Sequence, residues 1–300
     1  MSEAQIFTRV RRQGLLLHFG LALLLLGVSA GSLYFATQAA VGAYFVLLLL
    51  LSVLLLPPAV LAAYRGYALL RASYTLERDG LKLRWGLRGE DIPLPEVEWV
   101  IPAADLGFAL PLPGLSLPGG ILGRRMVEGL GLVEYLAGDA ETLILVATRQ
   151  QVYVISPAEP REFLSSFQRV MEMGSLSPIE PLSARPAAFV QNVWGEPFAR
   201  VLLAAGLGVM VILFITAGVL IPGHGPVALG FDARGLPLQA GPPERALLLP
   251  VLGALTYGSN LLLGLFFFRL PENRPVAYLL WISSLAAGIL LFAAVLILLL

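Results

Sequence analysis

The fold of this chain is decided by residues 74–85, which read YTLERDGLKLRW. Apolar side chains occupy alternate positions on both sides of Asp79 and Gly80. A period of two is typical of a strand with one buried face, and an Asp-Gly pair between two such runs is a strong hairpin signal. The stretch therefore predicts a β-hairpin that turns at Asp79-Gly80.

Further strand signals continue to residue 155. Residues 92–100 predict a turn followed by a strand, and the next strands are predicted at Leu132–Leu136, Thr142–Thr148 and Val152–Ile155. Between these groups, residues 106–131 are rich in Gly and Pro and contain few polar side chains. The polar centre of the chain is thus predicted to be mostly β.

A helix is predicted to close this region. Ser156 is placed as its N-cap, Pro157 as its first residue and Glu159 as the second half of a capping box. The apolar residues that then recur at helical spacing predict one buried face: Phe163, Leu164, Phe167, Val170 and Met171. Such a helix would cover one open end or edge of the sheet.

The composition outside this region is that of a membrane protein. Hydrophobic residues make up 57% of the chain and charged residues 13%, whereas a soluble domain has roughly a quarter charged residues. Cysteine is absent, which excludes disulfides, thiolate metal sites and cysteine nucleophiles. Residues 74–173 hold 14 acidic and 9 basic residues, a balance of −5 that disfavours nucleic-acid binding.

Five apolar runs approach or exceed the ~20 residues that a helix needs to cross a bilayer. They extend over about 15–35, 41–62, 199–221, 246–268 and 276–300. The first two predict a helical hairpin, although a signal peptide cleaved near Val28-Ser29-Ala30 is an alternative reading of the first run. The predicted fold is a five-span α-helical membrane protein with an inserted, mostly β domain.

Four parts of the chain follow from these signals. Residues 1–73 form an N-terminal segment and transmembrane hairpin, 74–173 the polar domain, 174–198 a linker, and 199–300 a three-span region with an outer loop at 222–245. With the N-terminus inside, the inner segments carry nine arginines and the outer ones only Arg234 and Arg245. This positive-inside bias predicts a cytoplasmic N-terminus and domain and an outside C-terminus.

The polar domain resembles the bacterial pleckstrin-homology (PH-like) domain family. The likeness is carried by residues 74–86, Ile92-Pro93-Leu94 before Val97, 114–119 with 134–137, and 152–157 leading into 160–164. The resemblance implies two near-orthogonal antiparallel sheets capped by a C-terminal helix, and it brings no catalytic residue. Together with the five spans, it predicts a location in the bacterial inner membrane. Residues 231–237, FDARGLP, are similar to the transmembrane module of SdpI-type immunity proteins.

The long Gly/Pro-rich segment is the first candidate contact surface. Its apolar residues could pack inside the chain, or they could contact the membrane or a partner: Phe108, Leu110, Leu115, Leu117, Ile121 and Leu122. Specific phosphoinositide binding is not expected, because acidic residues lie between the cations Lys82, Arg84, Arg88, Arg124 and Arg125.

Polar side chains within the spans form the second candidate site. Asn260, Ser283 and Ser284 are expected to form interhelical hydrogen bonds, with a substrate site as the alternative. Gly27 and Gly31 are expected to pack against the second helix, with dimerisation as the alternative. No catalytic, nucleotide-binding or zinc-ligand pattern is present, so no cofactor and no enzyme activity are expected.

The sequence thus predicts a membrane-anchored PH-like binding or scaffolding module. Its expected contacts are the lipid bilayer and a membrane-protein partner or a second copy of the chain. The alternative is a transporter-, channel- or immunity-like protein whose spans act and whose PH-like domain regulates.

Overall fold

The computed structural model describes residues 5–7, 12–114, 119–174, 179–184, 192–230, 232–236 and 238–300. The chain divides into two compact units. The first unit consists of Met1–Leu26 and Pro57–Pro186, and the second of Gly27–Leu56 and Ala187–Leu300.

The helices follow the predicted order. They are α1 (Arg12–Gln38), α2 (Ala43–Leu70), α3 (Pro160–Met173), α4 (Pro197–Leu220), α5 (Leu248–Phe268) and α6 (Arg274–Leu299). Within the described residues, five segments are long and apolar enough to cross a membrane, and all but α3 contribute one. The predicted five-span architecture is confirmed.

Two five-stranded sheets occupy the first unit. The first has the order β1-β2-β3-β4-β10 and consists of β1 (Gln5–Phe7), β2 (Ser73–Glu77), β3 (Gly80–Trp85), β4 (Arg88–Pro93) and β10 (Leu182–Ala184). The second has the order β5-β8-β9-β7-β6 and consists of β5 (Val97–Pro102), β6 (Ile121–Val127), β7 (Gly131–Ala137), β8 (Ile144–Thr148) and β9 (Val152–Ile155). All strand pairs are antiparallel except β7–β9, because β9 returns from its hairpin with β8 and inserts beside β7.

The first hairpin forms as predicted, but its turn lies one residue earlier. Glu77 pairs with Gly80, so Arg78 and Asp79 are the two loop residues and Gly80 begins β3. A Cβ on Gly80 would lie 2.6 Å from the carbonyl oxygen of Ile92. The glycine therefore permits close strand packing, and it does not supply a positive φ.

The capping helix begins three residues later than predicted. Glu159 precedes Pro160 and adopts φ −120° and ψ 82°, in keeping with the bias against helical conformation before proline. Ser156 is not the N-cap, since it is buried and its hydroxyl accepts a hydrogen bond from Gly138 N at 3.0 Å. Met171 is exposed, so it is not part of the buried helix face.

The core of the first sheet includes pieces of the chain outside residues 74–173. Leu81, Leu83 and Trp85 pack with Phe163 of α3, and the same cluster contains Phe7 of β1. The end of α2 contributes further buried residues to it, namely Ala68, Leu69 and Ala72. The folded domain therefore extends beyond the boundaries expected from sequence, because strand pairing and helix packing recruit segments whose local patterns do not reveal them.

In the second unit, the spans α4 to α6 pack around Met210. A Cβ on Gly253 would lie 3.0 Å from Met210 Sδ, and one on Gly288 2.5 Å from Met210 Cε. Small residues thus allow the helices to approach each other closely. At Gly27 and Gly31, no described atom lies within 4 Å of an added Cβ, so their expected packing against the second helix is wrong.

Candidate functional site

The Gly/Pro-rich segment is divided between surface and core. Phe108 is 47% exposed, whereas Ile121 is 4% exposed and belongs to the core of the second sheet as the first residue of β6. Leu110 and Leu122 are partly buried against the two cores. Leu115 and Leu117 lie outside the described residues. Among the described members of this set, Phe108 offers the most surface for a contact.

The cations that could have formed a phosphate site are already engaged. Lys82 Nζ donates to Glu77 Oε1 at 2.8 Å, and Arg84 forms an ion pair with Asp91. Arg125 Nη1 donates to the carbonyl oxygen of Leu112 at 2.7 Å.

The remaining two cations meet on one carboxylate. Arg88 binds Glu134 in a bidentate manner, with Nε 3.0 Å from Oε1 and Nη2 3.1 Å from Oε2. Arg124 Nη2 lies 3.3 Å from Glu134 Oε2, and Gln151 Nε2 donates to the same oxygen at 2.8 Å. Because Arg88 is on β4 and Glu134 on β7, this pair joins the two sheets.

A second carboxylate extends the network to the linker strand. Glu90 forms an ion pair with Arg88 and accepts hydrogen bonds from the Tyr153 hydroxyl and from Ser183 Oγ, each at 2.7 Å. Ser183 belongs to β10, so Glu90 also connects β10 to the domain. We call Arg88, Glu90, Arg124, Glu134, Gln151, Tyr153 and Ser183 the inter-sheet network.

Electrostatics within the network favour its charged forms. Burial by itself raises the pKa of Glu134, but the hydrogen bond and charge of Arg88 outweigh it and leave the pKa below its ordinary value. Burial likewise acts to lower the pKa of Arg88, yet Glu134 and Glu90 hold it above its usual value. Burial and the bond to Glu90 raise the pKa of the Tyr153 hydroxyl. The network is therefore a charged, buried connection.

Sequence analysis considered Arg88 and Arg124 only as poor candidates for phosphate binding, and it gave no sign that they belong to a buried network. The available signal was the spacing of Arg88 and Glu90, which are two residues apart and therefore share one face of a strand. That face becomes an interior one only when the second sheet packs on it.

A cavity of about 320 Å³ lies beside the network. Its lining includes Glu90, Asp91, Glu96, Thr148 and Ser183. Glu90 and Asp91 are neutralised by arginines, and within the described part of the chain no three His, Asp or Glu side chains are arranged to hold a metal. The cavity is large enough for a small polar group, and its lining offers carboxylate and hydroxyl groups that could form hydrogen bonds with it.

The polar residues of the spans lie in two environments. Asn260 Nδ2 is 3.4 Å from Ser283 Oγ, and Ser283 Oγ also donates to the carbonyl oxygen of Leu280 at 2.9 Å. Ser284 is buried, and its hydroxyl has no hydrogen-bond partner among the described residues.

Comparison with known families identifies the β-rich domain. Residues 72–171 match the family model described as bacterial PH domain, which confirms the resemblance seen in the sequence. No curated protein and no solved structure matches the chain. The chain carries a bacterial PH domain together with five apolar helices, an arrangement that defines a membrane-associated module.

Proposed function

We propose that this chain is a membrane-anchored binding and scaffolding module whose PH domain holds a partner at the membrane without catalysing a reaction. The supporting observation is the inter-sheet network. It uses two buried carboxylates, Glu90 and Glu134, and the largely buried Arg88 to join the two sheets. A domain whose buried charges neutralise one another is suited to presenting a rigid surface.

The orientation proposed is cytoplasmic for the PH domain. It rests on the nine arginines of the inner segments against two on the outer side. Anchorage on one membrane face raises the local concentration of the domain, so weak contacts with other membrane proteins become effective.

A phosphoinositide head group is a poor candidate for the ligand. Several phosphate charges must be neutralised together, whereas Lys82, Arg84 and Arg88 each have a carboxylate within their own domain. We propose that the partner is a membrane protein or a second copy of the chain.

Phe108 is the proposed centre of the partner contact, because it is a large apolar side chain with about half of its surface exposed. Deleting residues 106–131 would be an unsuitable test, since it would remove strand β6. A photo-crosslinking amino acid placed at residue 108 in living cells is a sharper one.

We expect one discrete adduct of higher mass from residue 108. The matched control carries the same amino acid at Met126, which is also apolar and exposed in the PH domain. Absence of an adduct at residue 108, or equal adducts at both positions, would contradict a partner contact centred on Phe108.

A further inference from the structure

The end of the PH domain that carries the β3–β4 turn lies close to the helices that enter the bilayer. β2 begins at Ser73, three residues after α2 ends at Leu70. Because Ser73 pairs with Arg84, the β3–β4 turn at Gly86-Leu87 is at this end of the sheet. The β2–β3 turn is at the opposite end, roughly 13 Å away at ~3.3 Å per residue.

The β3–β4 turn presses directly on α2. Gly86 has φ +62°, and a Cβ on it would lie 2.8 Å from Ala68 Cβ and 3.4 Å from the Tyr64 hydroxyl. A glycine with positive φ at the first position of a two-residue loop is typical of a type II′ hairpin. The contact therefore fixes the turn within about one helical turn of Tyr64.

One edge of the bilayer is expected near Tyr64. α2 has 28 residues and is therefore ~42 Å long at 1.5 Å per residue, which exceeds the ~30 Å hydrocarbon core. Tyr64 and Tyr67 near its end form an aromatic belt, and Arg71 lies over the Tyr67 ring at 5.8 Å. We therefore expect the last turns of α2, and the β3–β4 turn beside them, to lie at the level of the lipid head groups.

A second contact places α1 at the same end of the domain. Gly119 packs against Gly14, so closely that a Cβ on Gly14 would lie 2.7 Å from Gly119 Cα. One helical turn further along α1, His18 is in contact with Gly120. Two helices of the hairpin therefore hold the same end of the PH domain.

At this end, Leu87 is 57% exposed to solvent. Its neighbours in sequence are Gly86, which contacts α2, and Arg88, which belongs to the inter-sheet network. An apolar side chain at the tip of a hairpin, beside the aromatic belt of a span, is placed to enter the boundary between head groups and acyl chains.

We propose that Leu87 inserts into the lipid interface that surrounds α2. The β3–β4 turn thereby holds the PH domain against the bilayer that α2 crosses. The occupant of this surface is lipid, and the proposal needs only that α2 crosses the membrane. It is therefore independent of the partner contact proposed at Phe108.

The absence of native cysteine allows a direct test. The full-length Leu87→Cys variant is labelled with an environment-sensitive fluorophore and reconstituted into phosphatidylcholine–phosphatidylglycerol vesicles. Some of the lipids carry a nitroxide quencher near the top of the acyl chain. The matched control is Met173→Cys, also apolar and 45% exposed, which lies at the far end of the sheet because Arg78 Nη2 donates to the Met173 carbonyl oxygen at 3.4 Å.

We expect a blue-shifted emission at residue 87 and loss of most of its fluorescence in quencher-containing vesicles, with little change at residue 173. Equal and weak quenching at both positions would overturn the proposal. A blue shift at residue 87 without quenching by lipid would also overturn it, because Leu87 would then be buried against protein.

Discussion

Glu134 lies between two arginines of different strands, and at the scale of single residues this arrangement dominates the PH domain. The bidentate pair with Arg88 crosses from one sheet to the other and is almost completely shielded from water. A buried ion pair contributes little net stability compared with apolar packing, but removal of one partner leaves an uncompensated charge in the interior. The network therefore specifies how the two sheets are joined more than it adds to their stability.

Truncation of Glu134 should be severe for this reason. Glu134→Ala is expected to lower the free energy of unfolding of the PH domain by ~3–5 kcal/mol, the usual cost of breaking a buried pair. The measurement is a urea titration of the full chain in lipid nanodiscs, with limited proteolysis as the readout of unfolding. Glu98→Ala, at an exposed position of β5, is the control and should change the free energy by less than ~0.5 kcal/mol. Equal effects of the two changes would contradict a special role for Glu134.

The same residue predicts a dependence on pH. Its pKa in the folded state lies below the ordinary value of 4.5, because Arg88 outweighs the effect of burial. The stabilisation is therefore present above pH 4.5 and is lost as the pH falls through the folded pKa. Glu134→Gln has no carboxylate and therefore lacks this pH-dependent stabilisation at every pH. The difference in urea midpoint between wild type and variant should shrink as the pH is lowered from 6 towards 3, roughly the range over which a carboxyl with a lowered pKa takes up its proton. A difference that stays constant would refute this account.

At the scale of elements, the first sheet is completed by segments from both sides of the domain. β1 precedes the first span and pairs with β2, and β10 precedes the third span and pairs with β4. Both are short edge strands that cover the open hydrogen-bonding groups of the central hairpin. Because β1 and β2 flank the α1–α2 hairpin, their pairing requires that the residues before α1 and the PH domain share one side of the membrane.

Substitutions of Phe7 and Ile6 would test how much β1 contributes to the stability of the domain. Phe7 is 8% exposed and its ring lies 5.2 Å from that of Phe163, whereas Ile6 is 64% exposed. Phe7→Ala is expected to destabilise the domain by ~3 kcal/mol through loss of buried area and the cavity it leaves, and Ile6→Ala by less than ~0.5 kcal/mol. Thermal unfolding followed by proteolysis would measure both. If Phe7→Ala were as mild as Ile6→Ala, β1 would not be an integral strand.

At the scale of the whole molecule, five apolar helices and one bacterial PH domain make a membrane-associated module. α2 has two roles in this module. It is a candidate membrane span, and its residues Ala68 and Leu69 belong to the core of the PH domain.

The sidedness of the membrane can be measured with single cysteines. Met173→Cys is expected to react with a membrane-impermeant maleimide only after spheroplasts are lysed, and Arg234→Cys, in an exposed turn before α5, should react in intact ones. The reason is the excess of arginine in the segments assigned to the inside. Labelling in the reverse pattern would place the PH domain outside the cytoplasm.

The sequence alone predicted the elements whose cause is local. The period-two pattern around Asp79 and Gly80 predicted the first hairpin, and apolar runs of sufficient length predicted all five spans. It missed the start of α3, where the clash between Glu159 and Pro160 prevails over the capping pattern at Ser156. It also missed β1 and β10, because three residues are too few to show a period. It missed β4 and β6 as well, because their sequences RGEDIP and ILGRRMV do not place apolar residues at every second position.

Only the tertiary structure decided two features of the molecule. They are the inter-sheet network and the contacts of the PH domain with α1 and α2. Arg88 and Glu134 are 46 residues apart, and nothing in either local pattern indicates that two sheets will bring them together. The contacts of Gly86 with Ala68 and of Gly14 with Gly119 are likewise set by how closely two backbones approach. Hydrophobic period and length are properties of neighbouring residues, which a sequence displays directly. The pairing of distant charges and the close approach of glycines depend on how the folded elements pack, and they exist only once the chain has folded.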